Sequence, residues 1–197
     1  LRFRAPDTRG RRLATPAGGS PQVVRMSAAV HRQIMGAIGT KVPENGMPLG
    51  GDPEDFIVRH VVFDDGAERF GSTYSPDHVR LNSLLTDWWR PSGIRFLGFV
   101  HSHPGQFARP SGGDLHYADV ILKANPHLER LLMPIVTVSP EPAIHPFVVV
   151  RTDDGVAAVP ATLEILDEVL VSASAKPSQL PAVAAETLTP RHIREET

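Results

Sequence analysis

Two histidines, a serine and an aspartate fall within one short stretch: His101-Ser102-His103-Pro104, then Gly105 to Pro110, then Ser111-Gly112-Gly113-Asp114. Histidines at i and i+2 of a strand point to the same face, so both imidazoles can reach one ion. Asp114 falls in the first turn of a following helix, and a loop that folds that turn back over the strand end makes it a third ligand. Two imidazoles and one carboxylate leave the fourth position of a tetrahedral zinc open to water, as in a hydrolytic site. Each piece also has a plainer reading. Strand histidines can satisfy backbone groups, and a serine followed three residues later by an acid is a helix cap. The joint pattern H-x-H-P-x6-S-x2-D arises by chance in on the order of one in ten thousand chains of this composition, which favours the site. The two readings of Ser111 are compatible, because it can cap the helix while its hydroxyl faces the metal.

Composition narrows the chemistry. The 197 residues include 20 basic and 22 acidic side chains, nine histidines and no cysteine. The absent thiols exclude disulfides, thiol catalysis, iron–sulfur clusters and thiolate zinc fingers, so imidazole and carboxylate must hold any metal. The length suits one domain with a real core. A formal charge of −2 gives no reason to expect a nucleic-acid backbone or an anionic membrane as partner. No run approaches the roughly 20 apolar residues that span a bilayer, and Leu1 to Ser20 lacks the apolar stretch of a signal peptide. A cytoplasmic location is expected.

The elements that must position the site can be read from periodicity. Ser27 opens a helix carrying Val30, Ile34, Ala37 and Ile38 on one face, with Gly39 to stop it. A loop from Thr40 to Pro48 leads to a strand over Phe56–Phe63. Ser75-Pro76 reads as a cap for a second helix carrying Val79, Leu81, Leu84, Leu85 and Trp88 to a stop at Pro91. Trp88-Trp89 reads as a helix end tucked under the sheet. Ile94 to Val100 is a buried strand that delivers the histidines. Ser111 to Lys123 is a third helix, Leu131–Val138 and Pro146–Val150 are strands, and Ala161–Leu170 fits strand or helix equally. Residues 22–171 form an α/β or α+β domain, a sheet with helices packed on it. Leu1–Pro21, with Arg2, Arg4, Arg9, Arg11 and Arg12 against Asp7, reads as an N-terminal arm. Residues 172–197 read as a flexible C-terminal tail, too poor in large apolar groups to offset their ordering entropy.

The string from His101 to Asp114 resembles the metal-binding motif of the JAMM (JAB/MPN) zinc metalloproteases: H-x-H, seven residues, S-x-x-D. That family also uses a glutamate upstream, in a loop after the first helix and before a glycine-bearing strand. Pro43-Glu44-Asn45-Gly46-Met47-Pro48-Leu49-Gly50 fits, apart from Pro48 where a strand residue is usual, so the strand is expected to begin later. The resemblance spans roughly Val24 to Val150. It implies an MPN-like mixed sheet flanked by helices in a three-layer, cytidine-deaminase-like arrangement. It implies Zn2+ held by His101, His103 and Asp114, with Glu44 as general base for a zinc-activated water and Ser111 donating to the oxyanion. Phe107 and Arg109, in the loop over the site, are candidates for substrate contact.

The family further implies cleavage after the C-terminal tail of a ubiquitin-like protein, by deconjugation or precursor processing. The short single-domain form is similar to prokaryotic members that accompany E1-like and E2-like proteins, with antiviral defence a further association. Two other classes stay open. JAMM-like domains associated with DNA repair share the spacing, against which stand the near-neutral charge and the lack of a basic helix-turn-helix segment. Non-catalytic MPN scaffolds lack a full ligand set, whereas every catalytic position is filled here.

Overall fold

Ser27 ends one strand and begins a helix. The computed structural model describes residues 22–41, 44–52, 54–70 and 73–167, so the arginine-rich arm and the tail from Ser172 lie outside the described residues. β1 (Gln22–Ser27) runs into α1 (Ala28–Ala37), whose first turn is closed by the Val30 N–H donating to Ser27 Oγ at 3.2 Å. Ser is a strong N-cap because its oxygen satisfies a donor that the helix cannot. α1 buries Val30 and Ile34, the face the periodicity indicates.

β2 (Gly46–Asp52), β3 (Ile57–Val61), β6 (Arg95–His103), β7 (Arg130–Leu132), β8 (Ile135–Thr137), β9 (Ala143–His145), β10 (Phe147–Thr152) and β11 (Gly155–Leu166) join β1 in one mixed sheet. A separate hairpin, β4 (Glu68–Phe70) with β5 (Thr73–Ser75), precedes α2. β2 pairs with both β3 and β6, so the sheet closes on itself into a barrel-like arrangement instead of lying open as the middle layer of three. The mixed sheet and its three helices match the expected class; the closure is a correction. Its physical cause is that Gly46–Asp52 finds a neighbour on both sides.

Two apolar clusters fill the two sides of the sheet. Met26, Ile34, Leu49, Val100, Leu132 and Val148 belong to the α1 side. Ala118, Leu122, Leu131, Ile135 and Val149 belong to the α3 side. Consecutive residues such as Leu131 and Leu132, or Val148 and Val149, enter opposite clusters because side chains alternate along a strand.

Several boundaries differ from the sequence reading. β2 begins at Gly46 and passes through Pro48; β3 joins only at Leu49, so Pro48 has a strand neighbour, β6, on one side alone. Proline is tolerated at such positions. The cap of α2 (His78–Ser83) is Asp77 rather than Ser75, its Oδ1 accepting the Val79 and Arg80 N–H groups at 3.1 Å each. The helix continues as a π-helical turn over Leu84–Trp89, which rotates Trp89 inward and leaves Trp88 68% exposed. Val79 is likewise exposed. The expected strand Leu131–Val138 is interrupted at Met133-Pro134, yet β7 and β8 hold one register against β6, with Leu132 opposite Gly98 and Ile135 opposite His101. The ambiguous Ala161–Leu170 segment is strand through Leu166, because β1 offers it a parallel partner.

One glycine is required where β6 meets β7. Gly98 has φ 149°, and a Cβ there would sit 1.9 Å from the Leu132 carbonyl oxygen. Gly98→Ala should therefore destabilise the fold by about 3 kcal/mol or more, read by chemical denaturation. A second test concerns the turn before β3. Arg59 binds the Asp55 carboxylate at 2.5 and 3.0 Å, and the Ile57 N–H donates to it at 2.9 Å. Burial pushes that carboxyl up, but the Arg59 fork and the Ile57 N–H outweigh burial and hold it below the usual carboxylate range. A depressed folded-state pKa contributes stability that is present above the unfolded value of about 3.9 and is lost as pH falls toward the folded one. Asp55→Asn should cost about 1 kcal/mol at neutral pH, and the difference from wild type should shrink below about pH 4.

Candidate metal centre

β6 carries His101 and His103 to its C-terminal end on one face, and residues 104–110 return the chain so that α3 (Gly112–Ala124) starts beside them. The two Nε2 atoms are 2.9 Å apart. Asp114 Oδ1 lies 3.1 Å from His101 Nε2, and Oδ2 lies 3.2 Å from His103 Nε2. A tetrahedral zinc with bonds of about 2.0–2.1 Å spaces its ligand atoms by about 3.3 Å. The three side chains bring one ligand atom each within 4.8 Å of one another, close enough for a single ion to be shared among them. Both histidines are buried and Asp114 is largely so. Among the described residues no other group of three such side chains converges in this way.

The ligands are held by their own neighbours. Ser111 is the N-cap of α3 in a reciprocal box: the Asp114 N–H donates to Ser111 Oγ at 3.2 Å, and the Ser111 N–H donates to Asp114 Oδ2 at 2.6 Å. The capping and metal readings of Ser111 and Asp114 therefore coexist. His103 Nδ1 lies 3.1 Å from the Phe107 carbonyl oxygen. A carbonyl can only accept, so Nδ1 carries a proton, which leaves Nε2 as the ring atom that could bind a metal by giving up its own proton. The Phe107 ring stacks on His103 at 5.3 Å between centroids, and the Arg109 guanidinium lies 5.4 Å from the Phe107 ring centre.

Charge is balanced for binding a cation. Burial alone would raise the Asp114 carboxyl, but hydrogen bonds from His101, His103 and the Ser111 N–H hold it far below the usual carboxylate range. It therefore stays an anionic ligand. Burial lowers His103, yet the carboxylates of Asp114 and Glu44 and the Phe107 carbonyl outweigh it and raise its pKa. Glu44 thus acts on His103 as a nearby negative charge, and the residue is 7% exposed.

Glu44 is brought there by a contact that sequence reasoning missed. The Ser102 N–H donates to the Asn45 carbonyl at 2.9 Å, and the Asn45 N–H donates to Ser102 Oγ at 3.1 Å. The residue between the two histidines thus anchors the start of β2, directly after Glu44. The available signal was a serine inside an otherwise apolar strand. The Phe107 carbonyl was also missed, because a backbone acceptor leaves no mark on composition. One turn past Asp114, burial and the nearby Asp64 carboxylate push the Tyr117 phenol up to about 12, so it remains protonated. His145, to which no metal role was given, lies with Nε2 3.0 Å from Thr137 Oγ1.

A mixed α/β domain in which an H-x-H strand and a capped S-x-x-D helix bring two imidazoles and a carboxylate together defines a JAMM-type candidate metal centre. Residues 30–152 match the family model described as prokaryotic homologs of the JAB domain. The chain belongs to that family. No curated protein matches the sequence. Among solved structures it is similar to protein DSY2949 from Desulfitobacterium hafniense, a solution structure, at 21% identity over 75% of this chain and 96% of that one, with a TM-score of 0.53. That likeness concerns the fold alone.

Metal analysis should find about one zinc per chain after dialysis against excess zinc, with binding lost in His103→Ala and Asp114→Asn. Ser111→Ala keeps all three ligands but removes the oxygen that fixes the Asp114 backbone. Its zinc affinity should fall by roughly 10- to 100-fold, as for other outer-sphere partners, in a competitive chelator titration.

Proposed function

We propose that the protein is a zinc-dependent JAMM-type peptidase of the cytoplasm that hydrolyses the isopeptide or peptide bond after the C-terminal tail of a ubiquitin-like protein. The observation that carries this reading is the three-ligand triangle with a fourth carboxylate, Glu44, buried within electrostatic reach of it. When bound, the metal supplies Lewis acidity, which polarises a carbonyl and acidifies water. Glu44 takes the proton of the attacking water and passes it to the leaving amine. Ser111 Oγ accepts the Asp114 N–H, and a hydroxyl that accepts still has its own O–H as a donor. It donates a hydrogen bond to the oxyanion of the tetrahedral intermediate while keeping its proton.

The loop from Pro104 to Pro110 supplies substrate contacts. Phe107 is 41% exposed and offers an apolar face beside His103, with Arg109 as a charged neighbour. An extended tail adds to a strand edge near the metal, where main-chain hydrogen bonds give affinity. The modifier and the E1-like and E2-like proteins of its pathway are the partners this reading names.

Glu44→Gln tests it. The variant should keep about one zinc per chain and lose cleavage of a modifier–lysine conjugate by roughly 10²- to 10⁴-fold, the usual worth of a general base. Undiminished cleavage by this variant would remove Glu44 from the mechanism, and a zinc-loaded wild type inert toward every glycine-ended conjugate would remove the peptidase reading.

A further inference from the structure

We propose that the cleft between α2 and α3 is the groove for the substrate polypeptide on one side of the scissile bond, and that it selects an acidic residue about five positions from that bond. The proposal rests on the peptidase reading above and extends it to a sequence preference.

The cleft has a volume of about 820 Å3, within the range of roughly 300–1,000 Å3 typical of ligand sites. Phe96 and Phe99 of β6 form its floor, Leu81 and Leu85 one wall, and Tyr117 and Ile121 of α3 the other. It is open because α2 buries none of its own side chains. One end adjoins the metal centre. Phe99 precedes His101 by two residues of the same strand, Tyr117 follows Asp114 by one helical turn, and the two rings stand 5.8 Å apart.

The other end is basic. Arg90 and Arg95 line it, both exposed, and neither has an ion-pair partner among the described residues. Glu129 is the one carboxylate among the lining residues, so two guanidinium charges face one acid. Between Arg95 and His101 β6 carries a bulge, so its neighbour β2 covers the same span in five steps, Gly51 to Gly46, about 17 Å at roughly 3.3 Å each. A regular extended substrate chain laid along β6 has the rise of β2. A side chain five positions from a bond held at the metal therefore reaches the two arginines, while the positions between them lie on aromatic and aliphatic surface. Complementarity calls for apolar residues along the groove and a carboxylate at its end.

The test uses labelled 14-residue synthetic peptides centred on a Gly-Gly bond, with Glu, Gln or Lys at the fifth position before the bond in one series and after it in the other. Binding is read by fluorescence anisotropy on the zinc-loaded Glu44→Gln protein, so that turnover does not interfere. In one of the two series the Glu peptide should bind about tenfold more tightly than the Lys peptide, the worth of two exposed ion pairs. Arg90→Glu with Arg95→Glu should reverse that order, with zinc content unchanged. Equal binding of the three peptides in both series, or a preference untouched by the charge reversal, overturns the proposal. Cleavage of conjugates by wild type and charge-reversed protein alike, with no such preference, removes the groove and leaves the peptidase reading standing. An arginine-dependent Glu preference in a wild type that cleaves nothing does the opposite.

Discussion

The Asp114 carboxylate must close the first turn of α3 and, with the same two oxygens, face both histidine Nε2 atoms. The helix meets the first demand with the Ser111 N–H and with the partial positive charge of its own N-terminus, which favours an anion there. These same groups keep the carboxyl ionised in a largely buried place, where desolvation alone would protonate it. A charge held in this way is costly unless a counter-charge arrives. The imidazoles supply part of one, and a divalent cation would supply the rest. The S-x-x-D spacing thus places one side chain both in the helix cap and in the candidate metal cluster.

Around that carboxylate the chain is fastened at points far apart in sequence. The Phe107 carbonyl sets the His103 tautomer from within the loop that leads to α3. Ser102, facing away from its two histidine neighbours, clasps Asn45 and so brings Glu44 alongside the ligands. The second clasp depends on sheet closure, since β2 reaches β6 only because it pairs on both of its sides. Gly98 allows the opposite edge of β6 to meet β7 closely. Glu44, directly before β2, and the two histidines of β6 are therefore fastened to one strand pair, with Asp114 brought to them by α3.

Much of this was legible in the sequence, and for identifiable reasons. The histidines, Asp114 and Ser111 announce themselves because alternation on a strand and the first turn of a helix are local rules. The Ser27 cap and the apolar face of α1 follow from equally local patterns. What was hidden is what depends on distant partners. Closure of the sheet requires knowing that β2 finds β6, and the early start of β2 through Pro48 follows from that pairing. The Asp77 cap displaced Ser75 because Ser75 is taken by β5. Trp89 is buried as expected, whereas Trp88 is exposed because a π-helical turn shifts the phase of a 3.6-residue count. Ala161–Leu170 fits strand and helix equally until its parallel neighbour β1 is known, which makes it strand through Leu166.

The central claim is that three side chains hold one zinc while Glu44 stays uncoordinated beside it. Anomalous diffraction at the zinc edge from crystals of the zinc-loaded protein tests this most directly. The account predicts a single strong peak per chain, about 2.0–2.1 Å from His101 Nε2, His103 Nε2 and one Asp114 oxygen. Its fourth ligand should come from solvent, with the Glu44 carboxylate within hydrogen-bond reach of that ligand. A peak elsewhere in the chain, or Glu44 bound directly to the zinc in place of solvent, would contradict it.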